Sequence, residues 1–74
     1  MKINKLNHLL EIALECGREA AQLNTAGVAL TPFALDGDVE EIEAIAGASW
    51  NELDERVLYL LKDAWLEGAE SELQ

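Results

Sequence analysis

Carboxylates are the side chains of this 74-residue chain that are most able to do chemistry. The chain has 15 Asp and Glu residues against 5 Lys and Arg residues, which gives a formal net charge of -10 at pH 7. Residues 1–24 are neutral overall, so the net charge lies in residues 25–74. A small protein with this electric field attracts basic surfaces and repels nucleic acid. The composition therefore favours a basic protein partner over direct binding of nucleic acid.

Two groups of acids could form a binding surface. Asp63, Glu67 and Glu70 have the i, i+4, i+7 spacing of residues on one face of a helix. The second group, in the preceding predicted helix, is Glu40, Glu41 and Glu43. Such a surface either keeps a small hydrophobic protein in solution or docks a basic partner, and both interpretations stay open. The concentration of charge in one part of the chain favours docking.

Aromatic residues next to these acids could anchor a partner. Tyr59 and Trp65 lie in the last predicted helix with Leu66, and this helix has more apolar surface than one short helix would cover. Exposed Trp, Tyr and Leu side chains are typical of interfaces. Alternatively, the same residues fill a core between the first helix and the connecting segment. On the first interpretation, Tyr59 and Trp65 are candidate partner-binding residues.

The other reactive residues do not combine into a site. His8 and Cys16 in one helix would be separated by roughly 12 Å along its axis, beyond the hydrogen-bond reach of about 3 Å. A calcium loop that begins at Asp36 needs Glu at its twelfth position, which is Gly47. The chain also has no Gly-rich phosphate loop and no Ser-His-Asp set. We expect no enzymatic activity, no metal site and no cofactor.

Helices are the elements that must position the acids. Apolar residues recur at steps of three and four, which predicts helices over residues 4–24, 38–46 and 50–70. The predicted fold class is all-α: a small helical bundle of two long antiparallel helices, with the short helix and Phe33 closing one side. The predicted core is Leu6, Leu9, Leu10, Ala13, Leu23, Phe33, Ile42, Ile45, Leu53, Val57, Leu60 and Leu61.

Local signals mark the ends of these helices and one contact between them. Capping boxes at residues 38–41 and 49–52 predict helix starts with Asp38 and Ser49 as N-caps. Gly47 has the position of a C-terminal glycine in the left-handed conformation. Gly17 lies among small residues, which predicts the close approach of another helix.

The length and hydropathy pattern indicate one domain, residues 1–74. Domains have about 100–150 residues at the mode, so this chain has room for one thin core. No apolar run reaches the roughly 18 residues of a membrane span. Acids interrupt the apolar stretch near the N-terminus, unlike the apolar region of a signal peptide. We therefore expect a cytoplasmic protein.

At class level, the chain resembles the small acidic inhibitors encoded by phages and mobile elements, including anti-CRISPR proteins. The resemblance rests on the small size, on the acidic segment 36–43 and on the row of Asp63, Glu67 and Glu70. It implies an inhibitor that docks on a basic, nucleic-acid-binding surface of a partner protein and acts as a nucleic-acid mimic. The alternatives are a helical module that forms a homodimer and an acidic, antitoxin-like neutraliser.

Overall fold

The protein is built from α-helices. Its computed structural model describes residues 3–23, 32–33 and 37–73. These residues contain three α-helices, α1 Ile3–Leu23, α2 Asp38–Ala46 and α3 Glu55–Leu73, and a short 3₁₀ helix, Trp50–Glu52. The ranges described contain no strand. The predicted all-α class is therefore confirmed.

Helices α1 and α3 touch through their backbones at two glycines. A Cβ atom on Gly17 would lie 2.8 Å from the carbonyl carbon of Trp65 and even closer to its oxygen. A Cβ atom on Gly68 would lie 3.0 Å from the carbonyl carbon of Leu14, again with the oxygen nearer. Any side chain at either position would thus collide with the main chain of the other helix. The close approach predicted at Gly17 is confirmed, and the approaching helix is α3.

The two long helices run parallel, so the predicted antiparallel packing is wrong. Leu10 shares a surface groove with Leu60, near the start of α3. Arg18, two turns further along α1, shares a groove with Glu70 and Ser71, near the end of α3. Because the contacts advance together along both helices, the helices point the same way.

Helix α2 is the physical reason for the parallel arrangement. The Nζ atom of Lys5 donates a hydrogen bond of 3.1 Å to the carbonyl oxygen of Ala46, at the end of α2. At the beginning of α2, Asp38 lies close enough to Cys16 to raise the pKa of its thiol. Helix α2 thus runs back along α1 and returns the chain to the start of α1, where α3 begins. Helix α2 therefore both covers one side of α1 and carries the chain back to the start of α1.

The start of α2 differs from the predicted cap. Its N-cap is Gly37, which has a φ of 94°, and Asp38 is the first helical residue without a side-chain capping bond. The other end is as predicted: Gly47 has a φ of 72°, and its N–H donates a 2.9 Å hydrogen bond to the Glu43 carbonyl oxygen.

Helix α3 begins five residues later than predicted. Trp50–Glu52 forms a 3₁₀ turn, and Leu53 then adopts an extended conformation that interrupts the helix. The Oδ1 atom of Asp54 accepts a 2.8 Å hydrogen bond from the N–H of Arg56, so Asp54 supplies the local cap. Ser49 is the N-cap residue of the 3₁₀ turn, as predicted, but its side chain bonds to the Glu52 carboxylate and not to a backbone N–H. The helix continues to Leu73, past the predicted end at residue 70.

An aromatic cluster fills the core beside the small residues of α1. Phe33 is buried, as predicted, and its ring centroid lies 5.1 Å from that of Trp50 and 6.4 Å from that of Trp65. Two predicted core residues are exposed instead: Leu23, beyond the last buried turn of α1, and Leu60, the residue before the fully buried Leu61. The remaining predicted core residues are buried or half-buried. Between α1 and α2, the structure describes only residues 32–33 and 37, so Asp36 of the acidic segment 36–43 lies outside the described residues.

Candidate functional site

A shallow groove runs between α1 and α3 and is the main candidate site. We call it the α1–α3 groove. Its first section has a volume of about 290 Å³ and continues into a second section of about 340 Å³ towards the end of α3. Its apolar floor is formed by Leu10, Leu14, Leu60 and Ala64. Its charged rim is formed by Glu11, Asp63, Glu67, Glu70 and Arg18.

The predicted acidic row lies along this groove. Asp63, Glu67 and Glu70 are all exposed, and they follow the α3 edge of the groove from its first section into its second. Glu11 of α1 adds a fourth acid, whereas Arg18 is the single base that the described part of the chain contributes to these two sections. Like charges three or four residues apart on a helix destabilise it by a few tenths of a kcal/mol per pair. A basic partner would remove this repulsion.

Exposed apolar side chains accompany the acids on α3. Tyr59 is 71% exposed, Leu66 41% and Leu60 39%. Tyr59, Asp63, Leu66 and Glu70 are spaced i, i+4, i+7 and i+11, so apolar and acidic residues alternate along one stripe of the helix. The outer face of α3 therefore offers both charge and apolar contact area.

Trp65 belongs to the core and not to this surface. Its side chain is 1% exposed, and its ring packs near that of Phe33. One turn away on the same face, Leu61 is fully buried and Gly68 contacts α1. The prediction that Trp65 anchors a partner is corrected: the helix turns this residue inwards, where a large side chain fills the space beside the small residues of α1.

The α2 acids form a separate group. Glu40 and Glu41 are exposed. Among the described residues, α2 contacts α1 and the 3₁₀ turn but not α3, so these acids do not join the groove. Glu43 is half-buried, and its Oε2 atom accepts a 2.7 Å hydrogen bond from the backbone N–H of Trp50. Glu43 thus holds the 3₁₀ turn against α2, a local structural role that its charge pattern does not reveal.

The structure therefore brings together four of the predicted partner-binding residues: Tyr59, Asp63, Glu67 and Glu70. Sequence reasoning missed Glu11, because residues 1–24 are neutral overall and were not expected to contribute acids. It also placed Leu60 in the core, although Leu60 is exposed and lines the groove together with the half-buried Leu10. Their helical periodicity is correct, but periodicity alone cannot tell whether another element covers an apolar stripe.

The single thiol is not arranged for chemistry. Burial of Cys16, with a further contribution from the negative charge of Asp38, raises the pKa of its thiol to about 12. The thiol is therefore protonated at neutral pH and is a weak nucleophile. His8 is exposed on the surface of α1. In the described ranges, no three His, Cys, Asp or Glu residues are placed to hold a metal ion.

Comparison with family models, with curated proteins and with solved structures finds no match for this chain. None of the helices described is long and apolar enough to span a membrane. A function must therefore be inferred from the α1–α3 groove itself.

Proposed function

We propose that this protein is a non-enzymatic interaction module, a small acidic inhibitor that docks through the α1–α3 groove on a basic, nucleic-acid-binding surface of a partner protein. The observation that supports this most is the row of Asp63, Glu67 and Glu70 beside the exposed Tyr59 and Leu60. In the complex, the carboxylates would take the place of nucleic-acid phosphates. The phage and mobile-element inhibitors that the chain resembles in size and charge suggest the same mode of action.

Charge and apolar contact have different roles in this interface. Acids that face a basic surface speed association and orient the two proteins. Apolar side chains that become fully desolvated contribute most of the binding energy in typical interfaces. Leu60 is placed for this second role because it lines the groove with Asp63 and Glu67, and the exposed Tyr59 precedes it in the chain. Binding should weaken with salt, since the screening length falls from about 8 Å at physiological ionic strength to about 3 Å at 1 M.

Capture from a cell lysate with charge-reversed variants tests the proposal. The groove variant is Asp63→Lys with Glu67→Lys. The matched control, Glu40→Lys with Glu41→Lys, makes the same charge change on α2. We expect the wild type and the control to retain one basic, nucleic-acid-binding protein that the groove variant releases. Added wild-type protein should also displace labelled nucleic acid from that partner.

Two results would contradict the proposal. Full capture by the groove variant would show that the row on α3 does not form the interface. Simultaneous binding of the partner to nucleic acid and to this protein would show that the two do not compete. Circular dichroism at 222 nm should be equal for all variants, because each replaced carboxylate is exposed.

A self-associating helical module is the second candidate function, favoured by the exposure of Tyr59, Leu60 and Leu66. Burial of apolar surface is not screened by salt, so such a dimer would persist at high ionic strength. Light scattering at low and high salt separates the two functions. A monomer at both is expected from the inhibitor, and a salt-resistant dimer from the module. An antitoxin-like neutraliser would share the chemistry of the inhibitor and differ only in its partner.

A further inference from the structure

We infer that the part of the partner that occupies the α1–α3 groove is a basic amphipathic α-helix. This inference rests on the proposed function and specifies the recognised element. The groove has an apolar floor with acids on its rim. An amphipathic helix with Lys and Arg beside its apolar stripe is the complementary shape and charge.

The floor of the groove has the geometry needed to bind an α-helix. Leu10 and Leu14 are four residues apart on α1, and Leu60 and Ala64 are four residues apart on α3. Since α1 and α3 run parallel, these pairs form two apolar rows that border one trough. A helix in the trough can place apolar side chains at i, i+3, i+4 and i+7 between the rows. It would complete a three-helix arrangement on the side of α3 that carries the exposed Leu60.

The length of the trough sets the length of the bound helix. Its lining residues on α3 extend from Leu60 to Ser71. At 1.5 Å per residue, this segment is roughly 17 Å long, which matches a helix of about 12 residues or three turns. A segment of this length presents one apolar residue or pair per turn to the floor.

The charge of the rim distinguishes between two possible occupants of the groove, a second copy of this chain and a basic helix. Glu11, Asp63, Glu67 and Glu70 outnumber Arg18. A second copy of this chain, with its net charge of -10, would bring the same acids into contact with the rim. Bases that flank the partner's apolar stripe would instead meet opposite charges. The rim therefore favours a basic helix over self-association.

Two synthetic peptides of identical composition test the inference. Both contain about 12 residues of Leu and Lys. The first has Leu at i, i+3, i+4 and i+7 positions, and the second has the same residues in scrambled order. In a fluorescence anisotropy titration, we expect the amphipathic peptide to bind at least about tenfold more tightly than the scrambled one. Its helicity should rise on binding.

Variants of the protein locate the bound peptide. Leu60→Ser removes an exposed floor residue, and the groove variant Asp63→Lys with Glu67→Lys reverses the rim. Each should weaken binding of the amphipathic peptide at least about tenfold. The α2 control, Glu40→Lys with Glu41→Lys, should leave its affinity within about twofold of the wild type.

The outcomes separate this inference from the proposed function. Equal affinity for both peptides, or no effect of Leu60→Ser, would contradict the inference that an amphipathic helix occupies the groove. The proposed function would still stand if the lysate partner were lost with the groove variant. If that partner were retained by the groove variant, the proposed function would fail as well. A salt-resistant dimer of the wild type that Leu60→Ser dissociates would show that a second copy occupies the groove, which would also overturn the inference.

Discussion

Substitution of Gly17 by Ala should destabilise this protein, although the same change usually stabilises a helix. In a helix interior, Ala is more favourable than Gly by about 1 kcal/mol. Here the added Cβ would overlap the carbonyl group of Trp65 and lie 3.1 Å from the backbone nitrogen of Ala69. The steric cost therefore has to be weighed against the gain in helix propensity.

The steric cost should be the larger of the two. Overpacking of a core position typically costs about 1–3 kcal/mol. The obstacle at Gly17 is main chain, which cannot rotate away as a flexible side chain does, so we take the upper value. Subtraction of the propensity gain leaves a net loss of about 2 kcal/mol. In a domain of this size, the unfolding temperature would fall by roughly 8–16 °C.

Urea unfolding followed by circular dichroism and by tryptophan fluorescence measures this loss. The matched control is Gln22→Ala, which introduces the same residue type at an exposed position of the same helix. It should change the unfolding free energy by no more than about 0.5 kcal/mol. A Gly17→Ala protein as stable as the wild type, or more stable, would refute the close backbone contact between α1 and α3.

The second glycine supplies an internal check. Gly68→Ala should be destabilising for the same reason, because its Cβ would overlap the carbonyl group of Leu14. A small separation of α1 and α3 would relieve both collisions at once. The double variant Gly17→Ala with Gly68→Ala should therefore lose less stability than the sum of the two single losses. Strict additivity would mean that the two contacts are independent.

Three further predictions concern side chains outside the groove. Glu43→Ala should lower the unfolding free energy by about 1–2 kcal/mol in urea melts, because the Trp50 N–H loses its acceptor; no change would contradict this bond. Cys16 should react with a thiol reagent only after unfolding, since a thiol pKa of about 12 instead of 9.0 makes thiolate roughly a thousandfold scarcer at neutral pH. Burial raises the pKa of the Asp38 carboxyl group above its usual 3.8. Protonation of Asp38 therefore stabilises the folded protein. This stabilisation is complete below pH 3.8 and disappears as the pH rises through the higher folded-state pKa. Relative to Asp38→Asn, the wild type should therefore gain stability between pH 7 and about pH 4 in urea melts; a constant difference would contradict the raised pKa.

The helices could be predicted from sequence because their apolar periodicity is strong and local. Residues 4–24 and 38–46 agree with α1 and α2 within one residue at each end. The direction of α3 could not be predicted in the same way. It depends on where α2 docks on α1, and that is decided by long-range contacts such as the bond from Lys5 to Ala46.

The candidate site was only partly predictable for related reasons. The exposure of Asp63, Glu67 and Glu70 follows from their charge and spacing, whereas the direction in which Trp65 faces depends on the register of α3 against α1. Gly68 was an available signal for this register, because a second glycine in the last helix matches Gly17 in the first. The role of Glu43 involves a backbone N–H seven residues away and has no signature in the sequence.

The most direct test of the α1–α3 groove as a docking site is an amide chemical-shift titration of the ¹⁵N-labelled protein with the amphipathic Leu/Lys peptide. We expect the shifted amides to cluster in two segments, from Leu10 to Arg18 on α1 and from Tyr59 to Ser71 on α3. The amides of Glu40 and Glu41 on α2 should not move. Shifts centred on α2, or the absence of shifts on both long helices at saturating peptide, would contradict the groove as the docking site.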